Sequence, residues 1–209
     1  MSACLTSCRR HQHGVTLVVT LLMLVVVLLL GIAAAQIALQ GEKSSRNDRD
    51  RQIAFQTAEA ALLDAEMDIE YSPDMGRSRS HIFSRSSALG FPGEADAACG
   101  SGTQNIYLGL CRAAAEGVVP VWQTVNFMDG ADKTSQSVPY GRFTGQSFQT
   151  GVGSLPNRVP RYIIELMTHR KVGGSTDQVD YLYRITAIGF GTRETTQVVL
   201  QTVYRKAGR

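Results

Sequence analysis

Residues 14–41 read GVTLVVTLLMLVVVLLLGIAAAQIALQG, with no charged side chain among them. From Val15 to Ala35 the run is almost wholly aliphatic, and those 21 residues are enough for one bilayer crossing, which takes roughly 20 apolar residues in a helix. A short basic leader with Arg9, Arg10, His11 and His13 precedes the run. Arginines on that side predict a cytoplasmic N-terminus by the positive-inside bias. The body from Glu42 onward then faces the other compartment.

Three fates are open to this segment. A secretory signal peptide would be cut at the small residues Ala33-Ala34-Ala35. An uncleaved single-pass anchor would keep its leader. A leader cut on the cytoplasmic side, between Gly14 and Val15, would leave the apolar helix in the mature protein. The helical pattern runs on past Ala35, which disfavours the first. No proline occurs before Pro73, so one helix is expected from Val15 to about Glu70. Ile53, Ala54, Ala58, Ala61, Leu62, Ala65 and Ile69 recur at three- and four-residue steps and form a narrow apolar stripe that has to pack against the body. Tyr71-Ser72-Pro73-Asp74 is the expected stop.

Residues 74–160 read as irregular, with many Gly and Ser. Two short elements are expected there, one in Ile106–Ala115 and one in Val118–Phe127 anchored by Trp122. Near the C-terminus three runs are rich in β-branched and aromatic residues: Tyr162–Lys171, Val179–Ile188 and Thr195–Arg205. Gly173-Gly174-Ser175 and Gly189-Phe190-Gly191 are expected as the turns between them. An antiparallel meander is the simplest arrangement, with one face on the helix stripe and the other toward water or loops. Helix first and sheet last is an α+β architecture. The expected domains are a leader at 1–14, a membrane span at 15–41 and an amphipathic helix half at 42–72. A globular part at 73–209 follows, with loops at about 74–160 and the meander at about 161–205.

Charge and chemistry exclude several classes. Without Arg9 and Arg10 the chain has 19 basic against 18 acidic side chains, so nucleic acid is not an implied partner. No Ser/His/Asp set, phosphate loop or H-E-x-x-H motif is present, and no catalytic residue or cofactor is expected. Cys4 and Cys8 lie in the leader. Cys99 and Cys111 lie in the exported body, where an oxidising compartment favours a disulfide over two buried thiols. Their spacing is not that of a zinc site, and His81 and His169 lie far off in sequence. Asp129 and Asp132 do not have the spacing of an EF-hand loop, and no metal is expected. Asp64, Glu66, Asp68 and Glu70 are read as a solvated acidic face. Arg46, Arg49 and Arg51 are read as headgroup neighbours or partners of Asp48 and Asp50. Glu59 is either an exposed charge beside the stripe or a contact to a neighbouring subunit.

Three stretches in order resemble PilX-type minor pilins of the type IV pilin-like family. They are the basic leader ending in Gly14 before Val15-Thr16-Leu17-Val18-Val19, the helix segment Arg51–Glu66, and the closing runs Tyr183–Gly191 and Val198–Tyr204. The resemblance implies cleavage by prepilin peptidase after Gly14 and N-methylation of Val15. It implies a stay in inner-membrane lipid with the body in the periplasm, and then a place at the pilus tip. Partners would be other minor pilins, the major pilin and a tip adhesin, and the role would be priming of pilus assembly, with adhesion and twitching motility. Most pilins carry Glu at the fifth mature position, where this chain has Val19. Absence of that buried carboxylate, expensive in hydrocarbon, is a trait of PilX-type subunits, which are thought to cap the tip complex. A type II secretion pseudopilin and an anchored or secreted binding domain without a filament are the rival readings.

Overall fold

A computed structural model describes residues 14–93, 99–170 and 179–207. The leader before Gly14 and the expected Gly173-Gly174-Ser175 turn lie outside the described residues. Helix α1 spans Val15–Glu70, 56 residues, as its unbroken run of helix formers and its lack of proline dictate. It ends one residue before Tyr71, whose N–H still reaches Met67 O. Ser72 is the residue before proline and is biased out of helical geometry.

The chain divides into two compact units between Asn47 and Asp48. In the first, the apolar side chains from Val15 to Leu39 are exposed to solvent all round, and the helix meets the length and composition of a membrane span. A helix greasy on every side is one that lipid or other helices must cover.

The second unit holds the rest of α1 and a five-stranded mixed sheet. The strands are β1 (Leu110–Arg112), β2 (Val138–Pro139), β3 (Arg161–Arg170), β4 (Val179–Phe190) and β5 (Gln197–Tyr204). The three long strands form the expected antiparallel meander, with Ile163 opposite Thr186 and Ala187 opposite Leu200. The sheet extends beyond that meander. β1 adds in parallel beside β3, with Leu110 opposite Ile164, and β2 pairs antiparallel with the start of β3. The short helix α2 (Val121–Thr124) falls in the expected second element.

Strand alternation gives the sheet two covered faces. On one face Tyr162, Ile164, Leu166, Tyr183, Ile185 and Ala187 pack with Ala61, Ala65 and Ile69 of α1. On the other face Ile163, Ile188 and Phe190 pack with Val121, Val125, Phe127 and the two body cysteines. Trp122 is a half-buried neighbour of that second cluster. Glu165 and Arg184 also point to this second face. They sit opposite each other across β3 and β4 and form a two-pronged ion pair at 2.7 and 2.9 Å, which raises the Arg184 pKa.

Gly189 lies inside β4 and does not open the turn expected at Gly189-Phe190-Gly191. A Cβ at Gly189 would overlap the backbone of Ala54 and Ala58 and the Thr57 hydroxyl. The glycine is needed for close approach of helix to sheet, and the chain turns only after Phe190.

Candidate assembly site

Some faces of α1 are used within the body and others are left over. At 3.6 residues per turn, Asp50, Asp64 and Asp68 fall within about 40° of one another, and Glu59 stands about 180° from Asp68. The buried residues of α1 are Asp50, Ala54, Thr57, Ala58, Ala61, Asp64, Ala65, Asp68 and Ile69. The expected stripe is therefore correct in its alanines and Ile69, while Ile53 and Leu62 sit half-buried at its margin.

The expected solvated acidic face is corrected by this geometry. Residues two apart on a helix point to different sides. Glu66 and Glu70 are partly exposed, but Asp64 and Asp68 are fully buried. Asp68 receives Arg79 in a forked ion pair, Nε at 3.0 Å to both oxygens and Nη2 at 2.7 Å to Oδ2. Tyr162 donates its hydroxyl to the same carboxylate at 3.0 Å. The other end of Arg79 donates to Ile106 O at 2.9 Å and Leu108 O at 2.7 Å. Its guanidinium carbon lies 3.7 Å from the centre of the Phe143 ring. Both charged side chains have no exposure to solvent, and the donors and acceptors around them meet the condition for a tolerable buried pair. Burial and the Asp68 charge drive the Tyr162 hydroxyl well above its ordinary pKa.

One turn back, Asp64 accepts from the Thr144 hydroxyl and, at 2.8 Å, from Gly141 N. Burial raises its pKa, those two hydrogen bonds oppose the rise, and the Asp68 charge adds to it. Two neighbouring turns of α1 thus clamp the irregular segment around residues 79–108 and 141–144. Ser72 adds a further tie by donating to Phe143 O at 2.6 Å.

Asp50 is a second correction. It does not pair with an arginine of its own helix. It accepts from Thr192 N at 2.5 Å, the Thr192 hydroxyl at 2.7 Å and the Thr196 hydroxyl at 2.5 Å. Burial would raise its pKa, but these donors outweigh that and hold it below the ordinary carboxylate value. The β4–β5 turn is thereby fastened to the helix, with Gly191 close against the Asp50 carboxylate. Arg46 instead pairs with Glu42 at 2.5 Å along an exposed helix face. No sequence signal marks Arg79 or Thr144 as partners. The aspartates were detectable, since 50, 54, 57, 61, 64 and 68 continue the alanine stripe at helical steps.

The opposite side of α1 is left over. Glu59 is exposed, and Phe55 and Leu63, four residues either way, are 44% and 60% exposed. Within the first unit Gly14 stands in a turn at the head of α1, and Val15 and Val19 are exposed on its first turns. In the body, Cys99 and Cys111 form a disulfide buried in the second core cluster. Asp129 and Asp132 are occupied locally. Asp129 accepts from Ala131 N and the Thr134 hydroxyl, and Asp132 from the Thr103 hydroxyl. No group of three or more His, Cys, Asp or Glu converges among the described residues.

Comparison with known proteins gives the arrangement a family. Residues 13–63 match the family described as PilX N-terminal. Residues 107–206 match the family described as type IV pilus assembly protein PilX, C-terminal. The two together cover well over half of the 209 residues and fall on the helix and on the sheet. No curated protein and no solved structure gave a match. With its apolar N-terminal helix, its amphipathic helix half on a C-terminal sheet and both family matches in chain order, this protein belongs to the PilX-type minor pilins of the type IV pilus.

Proposed function

We propose that this chain is an assembly subunit, not an enzyme, and that it primes the type IV pilus from a tip complex. Its leader, residues 1–14, is removed by prepilin peptidase between Gly14 and Val15, and the new N-terminus at Val15 is methylated. The span at 15–41 holds the subunit in the inner membrane with its body in the periplasm. It then enters a bundle of sister helices, where close packing replaces lipid contact. Among those sisters are other minor pilins and the major pilin. Val19 in place of the usual glutamate removes a pairing group from the bundle, which suits a subunit with none beyond it. Glu59 meets a neighbour's helix, a reading supported by the exposure of Phe55 and Leu63 on either side of it. The body, with a tip adhesin as a further partner, supports adhesion and twitching motility.

The observation that carries this reading is the PilX N-terminal match on one helix, half lipophilic and half locked into the sheet, together with the PilX C-terminal match on that sheet. Deletion of the gene tests it. Surface fibres should fall while the major subunit accumulates in the membrane, and a deletion strain with normal fibres would contradict it.

A further inference from the structure

Asp64 and Asp68 stand one turn apart on α1, both fully buried, and a single cation lies among their partners. Arg79 commits its Nε and Nη2 to Asp68 and its Nη1 to two carbonyls. Asp64 meets only neutral groups, Gly141 N and the Thr144 hydroxyl. Side chains at this spacing are about 5–6 Å apart at their Cβ atoms. An ionised Asp64 would therefore set a second negative charge beside the first, with no cation of its own, and burial and a like charge both disfavour that state. A carboxylic acid fits the same contacts without the conflict. It donates from Oδ1 to the Thr144 hydroxyl and accepts from Gly141 N at Oδ2.

The other polar groups packed near Asp64 are turned elsewhere. From β3, the Tyr162 hydroxyl donates to Asp68. From the segment after β2, Tyr140 packs edge-on against Phe148, and burial, then the Asp64 charge, raises its hydroxyl pKa. Arg142 sends its Nε to Thr103 O at 2.9 Å. Asp74 pairs with Arg77 at 3.3 Å. Burial leads the influences on the Asp64 pKa and raises it, and the lowering by Arg79 is the weakest of them.

Asp64 holds a tight turn. Gly145 N donates to Gly141 O at 2.9 Å, and Gly141 and Gly145 both have positive φ, 76° and 73°, which glycine adopts without strain. Phe143 and Thr144 are buried on the inner side of this turn, while residues 145–147 are exposed on the outer side. A swing of Thr144 outward would bring water to Asp64.

We propose that Asp64 is a proton-operated latch on the 141–145 turn, closed while the carboxyl holds a proton and loosened when it ionises. The carboxylate gains from water the solvation that the closed site withholds, so proton binding and turn closure favour each other. The sign follows from that linkage. The closed turn has the higher proton affinity, so acid tightens it. Loosening begins as pH rises above the unfolded carboxyl value near 3.9 and is complete at the higher folded value. Phe143 rides on this turn and lies with its ring centre 3.7 Å from the Arg79 guanidinium carbon, so a loosened turn also uncovers the buried ion pair.

Amide hydrogen exchange, read by NMR on the full chain in detergent and corrected for the intrinsic rate at each pH, tests the latch. Gly141 N and Gly145 N should exchange faster than Ile164 N, which donates to Gly109 O within the sheet. Their protection should fall about tenfold per pH unit between the unfolded and folded Asp64 values and level off above the latter. Asp64→Asn can make both hydrogen bonds through its carboxamide and should abolish this pH dependence. The carboxyl carbon shift of Asp64 in the unaltered chain gives the folded value directly, so the test stands even where the variant does not fold. That midpoint should lie above the unfolded value of about 3.9. A midpoint at or below the unfolded value would overturn the proposal. So would pH-dependent turn protection that survives in Asp64→Asn, or turn amides as well protected as Ile164 N at every pH.

Discussion

Replacing Arg79 with methionine should be among the most damaging single changes in the body. The guanidinium makes three contacts of 2.7–3.0 Å to Asp68 and two to the carbonyls of Ile106 and Leu108. Methionine fills much of the volume beside Phe143 but leaves a buried carboxylate with only the Tyr162 hydroxyl. Removing one member of a fully buried pair costs about 3–5 kcal/mol. A domain of this size has only about 5–15 kcal/mol in all. At about 2–4 °C per kcal/mol for domains of this size, the midpoint should fall by roughly 6–20 °C. Thermal unfolding of the full chain in detergent, followed by near-ultraviolet circular dichroism, reads the change. The double variant Asp68→Leu/Arg79→Met should recover part of the loss, because the stranded charge is gone while the two carbonyls stay unpaired. A midpoint shift below about 2 °C for Arg79→Met, or a double variant worse than the single by the sum of both changes, would refute the reasoning.

Other changes test other contacts. Gly189→Ala should separate α1 from β4, since the added methyl has no space between Ala54 and Ala58, and the loss should exceed the roughly 1–3 kcal/mol usual for overpacking; a stability equal to wild type would contradict the close approach. Reducing the Cys99–Cys111 bridge, which closes a 12-residue separation, should cost about 3 kcal/mol by loop entropy, measured as a midpoint shift with and without reductant and absent in Cys99→Ser/Cys111→Ser. Asp50 has its folded pKa lowered, so its contribution is present above the unfolded value near 3.9 and is lost as pH falls through the lower folded value. Asp64, raised by burial, acts in the opposite sense and gains stability as pH falls through its folded value. Asp50→Asn should therefore flatten the acid limb of denaturant unfolding below about pH 4. An unchanged acid limb would count against the Thr192 and Thr196 hydrogen bonds.

The helix, its stop at Pro73 and the three long strands were legible because each rests on a short-range pattern. Apolar residues recur at helical steps in one case and at alternate positions in the other. β1 falls within the short element expected in Ile106–Ala115, but its parallel pairing with β3 was not legible, because a three-residue strand has too few alternations to declare a partner some 50 positions later. The buried aspartates were not legible for a related reason. Helical spacing placed Asp64 and Asp68 on the alanine side, but composition argued for solvent, and their partners Arg79, Thr144 and Tyr162 lie in other elements. Only a packed structure shows that a carboxylate at a core position is answered. Gly189 reads as a turn in the sequence because glycine serves both bends and close approaches, and sequence does not distinguish them.

The most direct measurement for the whole account is the intact mass and N-terminal sequence of the chain recovered from the inner membrane and from sheared pili. The account predicts one species in both fractions, beginning at a methylated Val15 and carrying the complete apolar helix. A species beginning at Gln36, or one that retains Met1 and is missing from the pili, would contradict it.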